Sequence, residues 1–267
     1  REALAYARAR EQFGTTIEKL PPVYEMLVSA RVQIAATRAL LYETTRYVDL
    51  RDAYELLLSD GDGRKVPDDA RKQEKNYVRI AAELTPLAKA LATEMANRVT
   101  YDALQIHGGT GYMKDFDVER LVRDARITNI YEGTTQLQYV AAIGGVMQRT
   151  LDPLMEPLSH LPYEGKLRRL ASSVDVARES LQRAVRFVAE QDDSDYFDLC
   201  SKPLCEMETI VFVSYLMLRD ARADRTREFL AERYIRDMLP IFDMYCRRVT
   251  GGDYSLIDRY QDLLAEA

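Results

Sequence analysis

The sequence predicts an all-α protein, in which an antiparallel four-helix-type bundle is followed by an additional C-terminal helical region. Apolar residues recur at intervals of three and four through most of the 267 residues, which is the spacing of one helix face. Glycine and proline are scarce, at 12 and 9 residues, and strand-like alternation is nearly absent. Short connections join the long helical stretches, and helices joined in this way pack most simply as antiparallel neighbours.

The first two helices are predicted from their end signals. The opening stretch REALAYARAREQFG is typical of a helix that ends at Gly14. Pro21 and Pro22 suit the first turn of the next helix, where proline is well tolerated. This second helix is predicted to continue to about Leu57. Its three-and-four spacing is carried by Leu27, Ala30, Ile34, Thr37, Leu41 and Val48.

The rest of the bundle follows two predicted loops. The polar segment SDGDGRKVPDD predicts the first loop, and a third long helix follows it. Pro86 lies inside that helix and is expected to kink it. HGGTGYMKDF predicts the second loop, DVERLVRDARITNI a short helix, and a last helix begins at about Thr135. The apolar stripe of the third helix consists of Ile80, Leu84, Leu87, Leu91, Met95 and Val99.

The chain divides at two prolines. Pro153 and Pro157 interrupt the pattern, and EGKLRRLASSVDVARESLQRAVRFVAEQ begins a second helical region. We therefore expect a bundle over residues 1–150 and a helical extension over residues 151–267. Because the chain opens on Arg1, already in helical pattern, we interpret it as the C-terminal fragment of a longer protein.

Composition narrows the class of protein. Net charge is −6 and basic residues are interleaved with acids, so nucleic acid is not expected as a partner. No apolar run approaches the roughly 18 residues of a transmembrane segment, and no signal peptide is visible. Three cysteines and two histidines predict neither a disulfide framework nor a metal site. Cys200 and Cys205 are interpreted as buried thiols. A reducing, cytoplasmic setting fits best.

Glu132, in RITNIYEGTTQLQ, is the first candidate for chemistry. It is a single carboxylate among apolar and small neighbours at a break between two helices, and a carboxylate that loses solvation becomes a stronger base. Gly133 would admit a substrate close to the backbone, and Thr134 is a candidate cap for the next helix. The alternative is a solvated acid in an interhelical turn, which spacing by itself favours.

The motif QIHGGTGY is the second candidate. Glycine-rich turns bind phosphates through their N–H groups, but the GK[ST] of a Walker loop is missing. By itself the motif is more simply a turn, and His107 a packed or surface histidine. Arg123, Asp124 and Arg126 are interpreted as the exposed face of a short helix.

Three segments together resemble the C-terminal helical domain of the acyl-CoA dehydrogenase family: YARAREQFG, ALQIHGGTGY and ERLVRDARITNIYEGTTQLQ. Their order and spacing match over about residues 1–150, and the last segment is highly specific. The resemblance implies binding of FAD and oxidation of an acyl-CoA thioester to the trans-2-enoyl form, with electrons passed to an electron-transfer flavoprotein. It also implies an N-terminal helical domain, a middle β domain, and a homodimer or homotetramer whose subunits share the flavin sites.

The resemblance implies a role for each matching residue. Glu132 matches the catalytic base, and Gly133 a position whose backbone lies against the substrate. Implied FAD contacts are Arg10, Phe13, Gln105, Gly108, Gly109, Thr134 and Gln136. Among these, Arg10 and Phe13 match residues that reach the FAD of a neighbouring subunit, and residues 105–109 match the loop at the adenine-side phosphates of the partner's cofactor.

Two departures from the family pattern affect these roles. Pro21 stands where the family often has a glutamine that touches the partner's flavin, and because proline cannot make that contact, it is not expected here. Some relatives carry their base on a helix upstream of the position of Arg1, where a second acid is therefore possible. The tail resembles the extra helical region of longer relatives, and its mixed charges disfavour a membrane helix.

Two alternative functions stay open. An oxidase of the same superfamily would pass electrons to oxygen, although Glu132 disfavours the nitroalkane type. A helical assembly module without catalysis is disfavoured by the intact YEGTTQ, because a scaffold needs no buried acid there. The fragment by itself is expected to be folded, self-associated through its long helices, inactive and without tightly bound FAD.

Overall fold

The computed structural model describes residues 1–59 and 66–265, and the all-α prediction is confirmed. Residues 60–65 of the first predicted loop lie outside the described residues. The helices are α1 (Glu2–Ala9), α2 (Pro21–Ser59), α3 (Ala70–His107), α4 (Gly109–Tyr112), α5 (Val118–Thr128), α6 (Thr135–Met147), α7 (Asp152–Ser159), α8 (Gly165–Gln191), α9 (Ser194–Ala223), α10 (Glu228–Thr250) and α11 (Ser255–Ala265). Short 3₁₀ turns cover Ile17–Lys19 and Arg225–Arg227.

The first helix is shorter than its sequence predicts. It ends at Ala9, and a small antiparallel hairpin of β1 (Glu11–Gln12) and β2 (Thr15–Thr16) follows. The two residues between the strands, Phe13 and Gly14, have φ of 54° and 76°. Two successive left-handed residues make a tight hairpin turn and cannot continue a right-handed helix. The prediction that this helix reaches Gly14 was therefore wrong.

Two further boundaries differ from the predictions. The segment predicted as the second loop contains the four-residue helix α4, and Gly108, with φ of 61°, separates it from α3. Pro153 and Pro157 do not break the chain, because both lie inside α7. Pro153 lies at the start of α7, where the missing N–H of a proline has no partner to lose, whereas Pro157 lies inside the helix. The interruption falls instead just before α7, where Arg149 has φ of 55°.

α9 lies at the centre of the core. Every side chain from Met207 to Leu218 is buried, and such a helix has neighbours all round. It packs against α8 and α10 of the predicted extension and against α2 and α6 of the predicted bundle. One continuous group of buried apolar residues therefore joins the helices before and after residue 150.

α3 is the element that positions the candidate site. It packs along α2, α5 and α6, and its C-terminal end contacts α1 and α4. A small apolar cluster of Ala7, Ile17 and Ile106 ties α1 to that end. Both Cys200 and Cys205 are buried, as predicted. None of the helices within residues 1–59 and 66–265 has the length and apolar character needed to cross a membrane.

Candidate functional site

Glu132 lies in a tight turn between α5 and α6. The N–H of Tyr131 donates to the carbonyl of Ile127 at 3.1 Å, and the N–H of Thr135 donates to the carbonyl of Asn129 at 3.2 Å. Within the turn, Glu132 has φ of 52° and Gly133 has φ of 94°. A left-handed conformation is uncommon for a residue with a side chain and persists where the surroundings hold it in place.

Two side chains hold the three carbonyl groups around the acid. Lys89 of α3 donates from Nζ to the carbonyl of Tyr131 at 2.6 Å and to the carbonyl of Gly133. Its ammonium also lies 5.4 Å from the centre of the Tyr131 ring, within the range of a cation–π contact. Gln138 of α6 donates from Nε2 to the carbonyls of Glu132 and Gly133, each at 3.2 Å. The carbonyls of residues 131, 132 and 133 therefore all accept a side-chain hydrogen bond.

Glu94 of α3 fixes the two ends of the same turn. Its Oε1 accepts from Asn129 Nδ2 at 2.9 Å and from Thr135 Oγ1 at 2.5 Å. Thr134 occupies the N-cap position of α6, but its side chain makes no capping hydrogen bond. The prediction that the Thr134 side chain caps α6 was therefore wrong. The carbonyl of Thr134 instead accepts from the N–H of Gln138 at 3.1 Å.

Glu132 is exposed in this chain, and so are Thr134 and Gln136. The expectation that the acid loses solvation among apolar neighbours is therefore wrong for the chain by itself. The exposed apolar side chains beside it are Ile127, Ile130, Tyr131, Leu137 and Val140. Exposed apolar side chains close to the carboxylate along the chain indicate a surface suited to being covered by a ligand or a partner.

A second cluster lies at the other end of α3. The rings of Tyr6 and His107 stack with centroids 4.4 Å apart, and Phe116 packs edge-on against both. His107 is buried, and its Nδ1 lies 2.7 Å from the carbonyl of Ala103, which assigns the proton to Nδ1. His107 is thus a packed histidine. These side chains line a cleft of about 490 Å³ together with Arg10.

The predicted cofactor residues divide between the two clusters. Gln105, Gly108 and Gly109 are exposed beside the cleft that Arg10 lines. A Cβ added at either glycine would meet nothing within 4 Å, so this backbone is open to approach. Phe13 lies at the tip of the hairpin after Arg10 and is 90% exposed.

The two clusters are far apart on one helix. Lys89, beside Glu132, and His107, beside the glycines, are separated along α3 by about 27 Å at 1.5 Å per residue. Thr134 and Gln136 belong to the Lys89 end. The exposed face of α5 is as predicted, since Arg123, Asp124 and Arg126 are all exposed.

Sequence reasoning missed Lys89, Glu94 and Gln138. Lys89 and Glu94 reach the turn from another helix, so no local spacing identifies them. Gln138 is closer to the turn, and a polar residue in the first turn of α6, five residues after Gly133, was a usable signal for it.

Two family models match successive parts of the chain. The family model "Acyl-CoA dehydrogenase, C-terminal domain" matches residues 69–147, and "Acyl-CoA dehydrogenase C terminal" matches residues 150–236. The chain belongs to the acyl-CoA dehydrogenase family.

Curated relatives resemble the first part of the chain. The "Probable acyl-CoA dehydrogenase FadE25" of Mycobacterium tuberculosis is 35% identical over 149 residues, which are 56% of this chain and 30% of that protein. The "Caffeyl-CoA reductase-Etf complex subunit CarC" of Acetobacterium woodii is 30% identical over 148 residues, 55% of this chain and 32% of its own length. The chain thus spans about a third of the length of these relatives.

Solved structures share the fold over most of the chain. An acyl-CoA dehydrogenase of Bacillus anthracis, complexed with FAD, aligns with a TM-score of 0.71 and 19% identity, covering 92% of this chain and 45% of that one. ACDH-11 of Caenorhabditis elegans, in complex with C11-CoA, aligns with a TM-score of 0.73 and 22% identity, covering 87% and 39%. At these identities the likeness concerns the fold.

Proposed function

We propose that this chain is the C-terminal part of an FAD-dependent acyl-CoA dehydrogenase, which converts an acyl-CoA thioester to the trans-2-enoyl-CoA. The observation that carries the proposal is the turn that presents the carboxylate of Glu132. The carbonyls of residues 131–133 in this turn all accept side-chain hydrogen bonds, and the apolar side chains near it along the chain are exposed. In this proposal residues 1–150 carry the site, and residues 151–267 are a helical extension packed on it.

Glu132 acts as the general base and takes a proton from the α-carbon of the thioester. In water a carboxylate is a weak base, and it becomes stronger when a bound substrate covers the turn and excludes water. Gly133 follows the acid with a φ of 94°, and a Cβ there would lie 2.9 Å from Gln138 Nε2. In this proposal the thioester lies along the Gly133 backbone. FAD, when bound, would accept the hydride that leaves the β-carbon.

The chain's residues fit FAD at two places. At the α3–α4 junction, Arg10 and the exposed backbone at Gly108 and Gly109 suit a phosphate-bearing part of the cofactor, because a guanidinium binds phosphate and neither glycine carries a side chain that would block its approach. Phe13 offers an exposed ring, and Gln105 a polar side chain, at the same end.

The Glu132 end provides the second place, with Thr134 and Gln136 as cofactor contacts. Because the two ends are about 27 Å apart along α3, we propose that they serve the flavin sites of two subunits. This favours a homodimer or a homotetramer as the working assembly.

Electron-transfer flavoprotein is the proposed electron acceptor. The Acetobacterium woodii relative is named a subunit of a caffeyl-CoA reductase–Etf complex, and a relative in Syntrophus aciditrophicus is named a cyclohex-1-ene-1-carbonyl-CoA dehydrogenase. These names support an acyl-CoA thioester as the substrate class and a flavoprotein as the partner.

A substrate screen on the complete protein tests the proposed function. Acyl-CoA thioesters of increasing length are offered with an artificial electron acceptor, and oxygen uptake is recorded in parallel. We expect acceptor reduction that depends on one class of thioester, with little oxygen uptake. Oxygen uptake at the rate of turnover would make the protein an oxidase, and inactivity with every thioester would contradict the proposal.

A further inference from the structure

We propose that Lys89 is a positioning residue for Glu132: its ammonium holds the left-handed turn that presents the carboxylate. The inference deepens the proposed function and rests on Glu132 being the base. Lys89 does not itself touch the reacting atoms in this proposal. It acts through the backbone on either side of the acid, by its hydrogen bonds to Tyr131 and Gly133.

The geometry of the two hydrogen bonds supports this role. The carbonyls of Tyr131 and Gly133 belong to the residues immediately before and after Glu132, so one ammonium group fixes both flanks of the acid. An ammonium group has three donors, and it can satisfy two carbonyls at once. Hydrogen bonds from a charged donor are stronger than neutral ones. The cation–π contact of Lys89 with the Tyr131 ring further stabilises the position of the ammonium group beside the turn.

The turn needs stabilising hydrogen bonds because the backbone of Glu132 is in a left-handed conformation. Glu132 has φ of 52°, a conformation that L-residues with side chains adopt rarely. Gln138 reaches the carbonyls of Glu132 and Gly133 but not that of Tyr131. Among the described residues, Lys89 therefore supplies the side-chain donor for the Tyr131 carbonyl. Its loss would free the peptide that leads into Glu132 and widen the range of positions of the carboxylate.

The backbone of Lys89 is also held in place, because it is part of a long helix. It lies in the middle of α3, half-buried, between the buried residues Ala88 and Ala90. A helix-borne donor at this position moves with the rigid body of α3, while the turn has only two short helices, α5 and α6, on either side. Glu94 ties the two ends of the turn to α3, and Lys89 ties the residues on either side of the acid to the same helix.

The test compares Lys89→Met with wild type in the complete, flavin-loaded enzyme. Methionine keeps the length of an apolar stem and removes all three donors. Flavin reduction by saturating acyl-CoA is followed anaerobically by stopped flow, together with thioester affinity and amide exchange of residues 129–138. We expect reduction to slow by about 10- to 100-fold, since small misplacements of a reacting group have effects of this size. Thioester affinity should change little, and amide exchange in the turn should accelerate.

Three variants serve as controls. Lys89→Arg, which keeps charge and donors, should recover most of the rate. Lys75→Met, the same change at an exposed position of α3, should reduce flavin like wild type. In a Glu132→Gln background, Lys89→Met should slow flavin reduction no further, because both changes act through the same carboxylate.

The outcomes separate this inference from the proposed function. Wild-type flavin reduction by Lys89→Met, with Glu132→Gln inactive, would overturn the positioning role and leave the base in place. Wild-type reduction by Glu132→Gln would instead remove the proposed function itself. If Lys89→Met does not fold, Lys89→Gln, whose shorter side chain cannot span both carbonyls, replaces it, and a wild-type rate for that variant overturns the inference equally.

Discussion

Glu83 of α3 and Glu208 of α9 form a pair of buried carboxyl groups, each 2% exposed, where the two helices meet the face of α6. Burial raises the pKa of both groups, and the charge of Glu83 raises that of Glu208 further. The pair therefore tends to hold its protons in the folded protein. It lies outside the candidate site, where α3 and α9 both pack against α6.

The raised pKa values predict a pH-dependent stability. An unfolded glutamate ionises near pH 4.3, while the folded pair keeps its protons to higher pH. The folded state then binds more protons than the unfolded state, so the free energy of unfolding falls as pH rises through this window. Glu208→Gln, which mimics the protonated acid, should weaken this fall between pH 5 and pH 8.

Denaturant unfolding of the chain at both pH values, followed by circular dichroism, measures the effect. The exposed Glu55 offers a matched control, because Glu55→Gln removes the same group from a solvated position. Equal pH dependence in wild type and Glu208→Gln would show that the buried pair does not lose its protons on unfolding.

Gly145 of α6 makes room for Glu83. A Cβ at Gly145 would overlap the buried Glu83 carboxylate and would lie 2.8 Å from its Cγ, so the glutamate would have to shift. Gly145→Ala should therefore destabilise the protein by about 1–3 kcal/mol, the usual effect of overpacking. The preceding residue is a matched control: a Cβ at Gly144 would meet nothing within 4 Å.

Gly144→Ala should be neutral or stabilising by up to about 1 kcal/mol, since alanine is the better helix former. Thermal or denaturant unfolding of both variants gives the comparison directly. Similar stabilities for the two alanine variants would mean that Glu83 relocates without penalty.

The chain by itself should not bind FAD tightly. Its proposed cofactor contacts lie at two ends of α3 and belong to two sites, and Arg10, Phe13 and Gln105 are all exposed at one of these ends. Residues 1–267 should purify colourless and stay so after incubation with FAD and gel filtration. A stoichiometric yellow complex would show that the cofactor site lies wholly within this chain.

Sequence reasoning predicted the long helices well. α2 and α3 begin and end within a few residues of the predicted positions, and α8 begins where the second helical region was predicted to begin. A periodic apolar face sustained over many turns is the strongest signal for a helix in a sequence. The hairpin after α1 could not be predicted, since it depends on Phe13 adopting a left-handed φ that its residue type rarely adopts.

The site was predicted less completely than the fold. The motif around Glu132 identified the turn, but its exposure in this chain contradicts the expected buried acid. The groups that hold the turn, Lys89 and Glu94, come from α3, far from the motif along the chain. Such contacts follow from tertiary packing, and no periodicity in the sequence encodes them. The buried pair of Glu83 and Glu208 was missed for the same reason.

Flavin reduction by Glu132→Gln in the complete protein is the most direct test of the central claim. Glutamine keeps the shape of the side chain and removes its basicity, so FAD and acyl-CoA binding should persist. General-base catalysis contributes about 10²- to 10⁴-fold, and anaerobic flavin reduction by acyl-CoA should slow by at least that factor. Reduction at the wild-type rate would show that Glu132 is not the base.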